Sequence, residues 1–153
     1  MGPKVKISDI VDGMEFQMEE YFTFLHIPTG KVVSISEQYL GKAEEGEFDG
    51  VEDLEEEERL AYDYMENSNV FVELPTRYDI NEYRIIQDFC YSIDNRMIKD
   101  RLLRVIEGKG AFRRFKDAAH HLAVIQDWYT FREQRYKEIA IRFCEEFDVE
   151  YID

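Results

Sequence analysis

Pro75 separates two hydrophobic periods, and that change of period constrains the fold more than any other feature of the chain. Before it, Tyr21-Phe22-Thr23-Phe24-Leu25-His26-Ile27 and Val32-Val33-Ser34-Ile35 are rich in β-branched and aromatic residues. Pro28-Thr29-Gly30-Lys31 lies between them and supplies the fixed and positive φ of a turn, so the pair predicts a β-hairpin. Val70-Phe71-Val72-Glu73-Leu74 is a second strand signal, stopped by Pro75. Lys4–Ile7 reads as a short extended start, after which Ser8-Asp9 caps a brief helical turn that Gly13 ends. Residues 42–58 are acidic and spotted with glycine. They predict a solvated loop running into a helix on which Leu60, Tyr64 and Met65 keep helical spacing.

After Pro75 the apolar residues recur at three- and four-residue steps. Asp79-Ile80-Asn81-Glu82 has capping-box spacing, and Tyr83, Ile86, Cys90 and Ile93 follow on one helical face with Ile85 and Phe89 alongside. Asp94 is expected to cap a further helix through Ile106, closed by Gly108. On that helix Ile98, Leu102, Val105 and Ile106 fall together, with Arg96, Arg101 and Arg104 opposite. A new helix starts at Ala111, and a last long one runs from about Gln126 to Glu146 with Trp128, Phe131, Ile139, Phe143 and Phe147 on one stripe. Val149–Ile152 offers a final strand. The expectation is a single α+β domain over 1–153. A small N-terminal antiparallel sheet, a hairpin plus one or two strands, belongs to a strand-rich acidic part (1–75) and packs on a predominantly helical part (76–153).

With 11 Phe and 10 Tyr in 153 residues, the chain has the bulky apolar side chains a core needs. No apolar run approaches the ~20 residues of a membrane helix, and the start lacks a signal-peptide pattern. Cys90 and Cys144 lack CxxC spacing and lie in helical apolar patterns, which suits buried thiols in a reduced, cytoplasmic compartment. Net charge is −15, unevenly spread: residues 1–75 hold 5 Lys/Arg against 19 Asp/Glu. Arg96 to Lys116 hold eight basic residues against Asp100 and Glu107, a net of +6. Repulsion over a Debye length of roughly 8–10 Å disfavours sequence-independent nucleic-acid binding by so acidic a chain. A compact anion needs only a local patch.

The most pointed patch is Gly108-Lys109-Gly110-Ala111-Phe112-Arg113-Arg114-Phe115-Lys116. A helix beginning at Ala111 presents unpaired N–H groups and the positive end of its dipole. The glycines let backbone approach a ligand, Phe112 and Phe115 anchor the helix inward, and Arg113, Arg114 and Lys116 splay around the turn. Lys109, Gly110, Arg113, Arg114 and Lys116 are therefore candidate ligand-binding residues. Tyr129 and Arg132, three apart on the last helix, join them as a stacking and pairing edge. The competing reading pairs the arginines with the protein's own carboxylates, above all the Glu52–Glu58 run, and treats Tyr129 and Arg132 as ordinary helix edge. GxxxxGK[ST] spacing is absent, as is any nucleophile motif, so no catalytic residue is assigned. His120-His121 point about 100° apart and do not readily share an ion, so no metal and no cofactor is assigned.

The string Gly108 to Asp117, with Trp128-Tyr129-Thr130-Phe131-Arg132 and Glu138-Ile139-Ala140-Ile141-Arg142-Phe143-Cys144-Glu145-Glu146, resembles the small bacterial group catalogued as uncharacterised protein family zero-one-five-eight. Leu74-Pro75 with Tyr78 and the N-terminal hairpin fit the same pattern, while Phe143 stands where the family pattern has Trp. The resemblance spans nearly the whole chain and implies membership, with no activity or site to carry over. Two functions remain in view. One is a non-enzymatic binding module for a compact anion, a nucleotide or phosphorylated metabolite. The other is a protein-interaction module working through the acidic face, in the manner of a nucleic-acid charge mimic.

Overall fold

The computed structural model describes residues 2–153 and has the mixed α+β architecture the two periods imply, with a small antiparallel sheet in the N-terminal half and helices dominating after it. It resolves into two compact units. Residues up to Arg77 combine with Ala140–Asp153 in the first, and Tyr78–Ile139 form the second.

In the first unit the chain runs through β1 (Val5–Lys6), α1 (Ile7–Glu15), β2 (Tyr21–His26), β3 (Lys31–Ser36), α2 (Glu37–Glu44), α3 (Glu56–Glu66) and β4 (Phe71–Glu73). β2 and β3 form the expected hairpin, in register from Tyr21 opposite Ser36 to His26 opposite Lys31. Gly30 closes its turn at φ 70°, its N–H bonded to the His26 carbonyl at 2.8 Å. β4 adds antiparallel to the other edge of β2, giving the order β3-β2-β4. β2 is central, and that explains its nearly continuous apolar run: both faces are covered. Phe24 joins Ile35, Phe71, Ala43, Phe48 and Ala61 in one buried cluster that brings in α2 and α3. Leu25 is fully buried on the opposite face. α1 lies over that face, where a Cβ on Gly13 would come within 2.8 Å of Val32 and 2.9 Å of Leu74.

Gly13 therefore does not end α1, as its place in the sequence suggested. It lies inside the helix, and its missing side chain is what allows the helix to approach the sheet. The cap also differs, since Lys6 rather than Ser8 or Asp9 occupies the N-cap and makes no side-chain cap bond. α2 lies across the start of the stretch read as an open loop, capped by Ser36 Oγ accepting from the Tyr39 N–H at 3.1 Å. Phe48, amid the acidic residues, is core. The Glu55–Glu58 run has a local cause. It is the first turn of α3, with Glu55 and Glu58 forming a reciprocal capping box where negative charge suits the helix dipole.

The C-terminal segment returns to this unit through β5 (Tyr151–Ile152), which pairs in parallel with β1, Val5 opposite Tyr151. Between its two parts the chain forms α4 (Arg77–Ile80), α5 (Glu82–Ser92), α6 (Arg96–Val105), α7 (Ala111–His121) and α8 (Ile125–Glu146). The caps shift from those expected. Asn81, at φ 53°, caps α5 in place of Asp79, and Asn95 caps α6 in place of Asp94. The core of the second unit is aromatic. Phe89 packs edge-on against Phe115, Trp128 and Phe131 with ring centroids 6.0, 5.5 and 5.4 Å apart, and Phe115 meets Trp128 at 5.0 Å.

Alanine at Gly41, a helical glycine with open space around it, is expected to stabilise by about 1 kcal/mol through helix propensity. Alanine at Gly13 gains the same propensity but overpacks Val32 and Leu74, an effect of about 1–3 kcal/mol. Urea denaturation should therefore rank Gly13→Ala below Gly41→Ala. Equal stability would mean that α1 can move off the sheet without cost.

Candidate functional site

α6 ends and α7 begins within five residues, and the junction is built by one side chain. Gly108 and Gly110 take φ of 79° and 77°, a left-handed backbone that side-chain-bearing residues rarely adopt, and Gly110 is the N-cap of α7. The reversal leaves the last carbonyls of α6 without helical partners. Arg114 answers the last of them and two carbonyls of the junction: its guanidinium donates to the carbonyls of Val105, at 2.8 Å, and of Glu107 and Lys109. The Tyr83 hydroxyl donates to the neighbouring Ile106 carbonyl at 3.0 Å. Arg114 is thus committed to backbone, and the basic string contains a structural component that spacing did not distinguish.

The next residue round, Arg113, projects elsewhere. α5, α7 and α8 border a cavity of about 680 Å³ that is open to solvent on one side. Ile86, Phe115 and Trp128 form its apolar wall, all three buried. Phe112 and Tyr129 line it with half-exposed rings, 48% and 44% accessible. Its polar groups are Arg113, Lys116 and Asp117 from α7, Arg132 from α8 and Glu82 from α5. Phe112, expected to anchor α7 inward with Phe115, instead opens onto the cavity; at one hundred degrees per residue, Phe115 reaches the core and Phe112 stops at its margin.

Glu82 accepts from Arg132 Nε at 2.6 Å and from the Tyr136 hydroxyl at 3.2 Å, and the Arg132 guanidinium lies 4.2 Å from the Tyr136 ring centre. One helical turn further, Asp88 receives Arg135 at 2.9 Å and Arg84 at 3.3 Å. These chains hold α5 to α8 along the polar side of the cavity. Arg113, Lys116 and Lys109 are exposed and have no ion-pair partner among the described carboxylates of their unit.

Four of the seven candidate residues, Arg113, Lys116, Tyr129 and Arg132, therefore converge on one cavity. Lys109 and Gly110 lie in the α6–α7 junction and do not line it, and Arg114 is turned to the junction's carbonyls. Glu82, Ile86, Phe112, Phe115, Asp117 and Trp128 complete the lining. Glu82 had been read only as a capping residue, and no spacing rule relates it to Arg132, fifty positions on.

Among the described residues, no group of three or more His, Cys, Asp or Glu could hold a metal ion. His120 and His121 are exposed on α7, and His26 is held by Thr29 Oγ1 at 2.8 Å against the Phe71 ring. Cys90 and Cys144 are free and buried; burial pushes the Cys90 thiol up to about 11, which keeps it protonated near neutral pH. A second concavity of about 460 Å³ in the first unit is bounded by Glu20, Glu37, Glu57, Tyr21 and Tyr39, and there burial and the nearby Glu55, Glu57 and Glu58 raise the Tyr39 hydroxyl.

The chain belongs to the uncharacterised protein family UPF0158, whose family model matches residues 4–153. No curated protein and no solved structure matches it significantly. Among the described residues, no helix is long and apolar enough to cross a membrane.

Arg114→Ala should cost about 1–2 kcal/mol, below the roughly 1.5–3 kcal/mol of charge-assisted hydrogen bonds because the site is exposed. Arg113→Ala should stay within about 0.5 kcal/mol of the parent, as exposed substitutions do. Chemical denaturation of the two variants measures the difference, and a reversed ranking would show that Arg113 carries the structural role.

Proposed function

We propose that the second unit is a binding module for a compact anionic ligand, a nucleotide or a phosphorylated metabolite, in a bacterial cytoplasmic protein that is not an enzyme. The observation that carries this reading is the convergence of two unpaired cations, Arg113 and Lys116, with an apolar wall and two accessible aromatic rings in one cavity. Cavities of a few hundred cubic ångströms with apolar walls and a few polar groups are the usual form of small-molecule sites. The start of α7 supports it as well. The first turn contains no acidic residue, so the positive end of the helix dipole has no carboxylate of its own helix beside it. Arg113 and Lys116 are the expected anion contacts, Tyr129 a stacking surface, and Arg132 a cation held in place by Glu82. Lys109 and Gly110 support the junction from which α7 starts.

Thermal shift with inorganic phosphate, pyrophosphate and nucleotides tests the reading. A ligand at a hundred times its Kd contributes about 2.7 kcal/mol, which at about 2–4 °C per kcal/mol corresponds to a rise in Tm of roughly 5–10 °C. Arg113→Ala combined with Lys116→Ala should abolish the rise and leave the unliganded Tm nearly unchanged. If none of these anions stabilises the protein, the reading fails.

A second reading concerns the first unit. Charge divides by unit: Tyr78–Ile139 hold 12 Lys/Arg against 10 Asp/Glu, and the remainder of the chain holds 7 against 24, a net of −17. From Glu44 to Glu56, Glu44, Glu45, Glu47, Asp49, Glu52, Asp53, Glu55 and Glu56 are all exposed. Such a face suits a protein-interaction module that engages a basic partner, as a mimic of nucleic-acid charge would. Pull-down at low salt and at ~0.5 M salt discriminates, since contacts between exposed charges weaken over this range. A partner retained equally at both concentrations would exclude this face as the contact.

A further inference from the structure

We infer, on the basis of the anion-binding reading above, that the cavity takes a nucleoside monophosphate: one phosphate joined to an aromatic base that carries hydrogen-bond donors. Size gives the first restriction. At about 30 Å³ per water, a cavity of about 680 Å³ has room for on the order of twenty waters. A bare phosphate displaces only a few of them and leaves the apolar wall wet. A ligand that fills the space has an organic body as well as an anionic group.

Charge gives the second. The lining holds Arg113, Lys116 and Arg132 against Glu82 and Asp117, a net of +1. Arg132 is already bonded to Glu82 at 2.6 Å, so the unpaired cations are Arg113 and Lys116. One phosphate monoester carries about −1.5 to −2 charges at neutral pH and matches that pair. Further phosphates bring charge that no other unpaired cation of the lining answers, beside the Asp117 carboxylate that repels it.

The third restriction is chemical. Phe112 and Tyr129 offer accessible ring faces, and every base has a π-face to stack on them. Asp117 is a carboxylate, which only accepts hydrogen bonds, and it has no side-chain partner within its unit. Beside a site for an anion, such a group disfavours ligands without donors and favours those with an exocyclic amine or a ribose hydroxyl. A sugar phosphate lacks the aromatic base, a nucleoside lacks the anion, and a bare phosphate lacks both base and sugar.

Calorimetric titration of the whole chain with the four common nucleoside monophosphates, the matching triphosphates, ribose 5-phosphate, adenosine and inorganic phosphate tests this. The expected result is at least one monophosphate bound ten times or more tighter than ribose 5-phosphate, adenosine and phosphate, with its triphosphate no tighter. Tyr129→Ala should weaken that nucleotide about tenfold, as loss of one stacking contact does. Asp117→Asn should weaken the nucleotide while leaving inorganic phosphate unchanged or tighter. Both side chains are exposed, and an unliganded melt matching the parent confirms that each variant is folded. Phosphate or a triphosphate binding as tightly as the monophosphate, or nucleotide binding indifferent to Asp117→Asn, overturns the nucleotide assignment and leaves the anion site standing. Failure of every anion to bind overturns both.

Discussion

The edge-on packing of Phe89, Phe115 and Trp128 is the contact on which the second unit depends. Each ring comes from a different helix, α5, α7 and α8 respectively, so three mutual contacts fix three helices at once. Aromatic pairs of this kind contribute roughly 0.5–1.5 kcal/mol beyond the area they bury, and they hold ring orientation as well as distance. The cavity is a by-product of that geometry. Phe115 and Trp128 are themselves part of its apolar wall, and Arg113, Lys116, Asp117 and Arg132 lie within four positions of them on α7 and α8. Rigid elements then carry the side chains, a better basis for precise recognition than a loop.

The Glu82–Arg132–Tyr136 and Asp88–Arg135 contacts act beside this core. Partly exposed pairs add little net stability, typically no more than about 1 kcal/mol. Their effect is to fix direction: Arg132 is held by a carboxylate on one side and lies over a tyrosine ring on the other. The single-sign string from Lys109 to Lys116 divides similarly by task. Arg114 completes the backbone of the α6–α7 junction, and Arg113 and Lys116 are left for other partners.

Much of the fold was legible in the sequence because it rests on local rules. The hairpin followed from turn chemistry between two apolar runs, the start of α7 from Gly110 and Ala111, and the long α8 from its aromatic stripe. Gly13 was misread because a glycine at a helix end and one at a close approach look alike; only the distances to Val32 and Leu74 separate them. Phe48 was hidden by its acidic neighbours, since charge density along the chain says nothing of where one ring points. Of the candidate residues that line the cavity, Arg113 and Lys116 were singled out by the basic string, and Tyr129 and Arg132 by their three-residue spacing on the last helix. Glu82 and the commitment of Arg114 were not, because a contact across fifty positions and a side chain turned back onto carbonyls leave no periodic trace.

The pairing of β1 with β5 has a consequence for how the chain comes to be folded. Val5 finds its partner only at Tyr151, about 146 positions later, whereas every contact of the second unit lies within one uninterrupted stretch. At a synthesis rate of roughly 5–20 residues per second, Val5 waits on the order of 10–30 s for Tyr151 to be made. By then the whole of Tyr78–Ile139 has been made, as have β2, β3 and β4, and the helices of the inserted unit have only short loops to close. Folding of the inserted unit shortens the effective loop that the terminal strands must bridge. The parallel pair of terminal strands is thus the last pairing for which both partners exist.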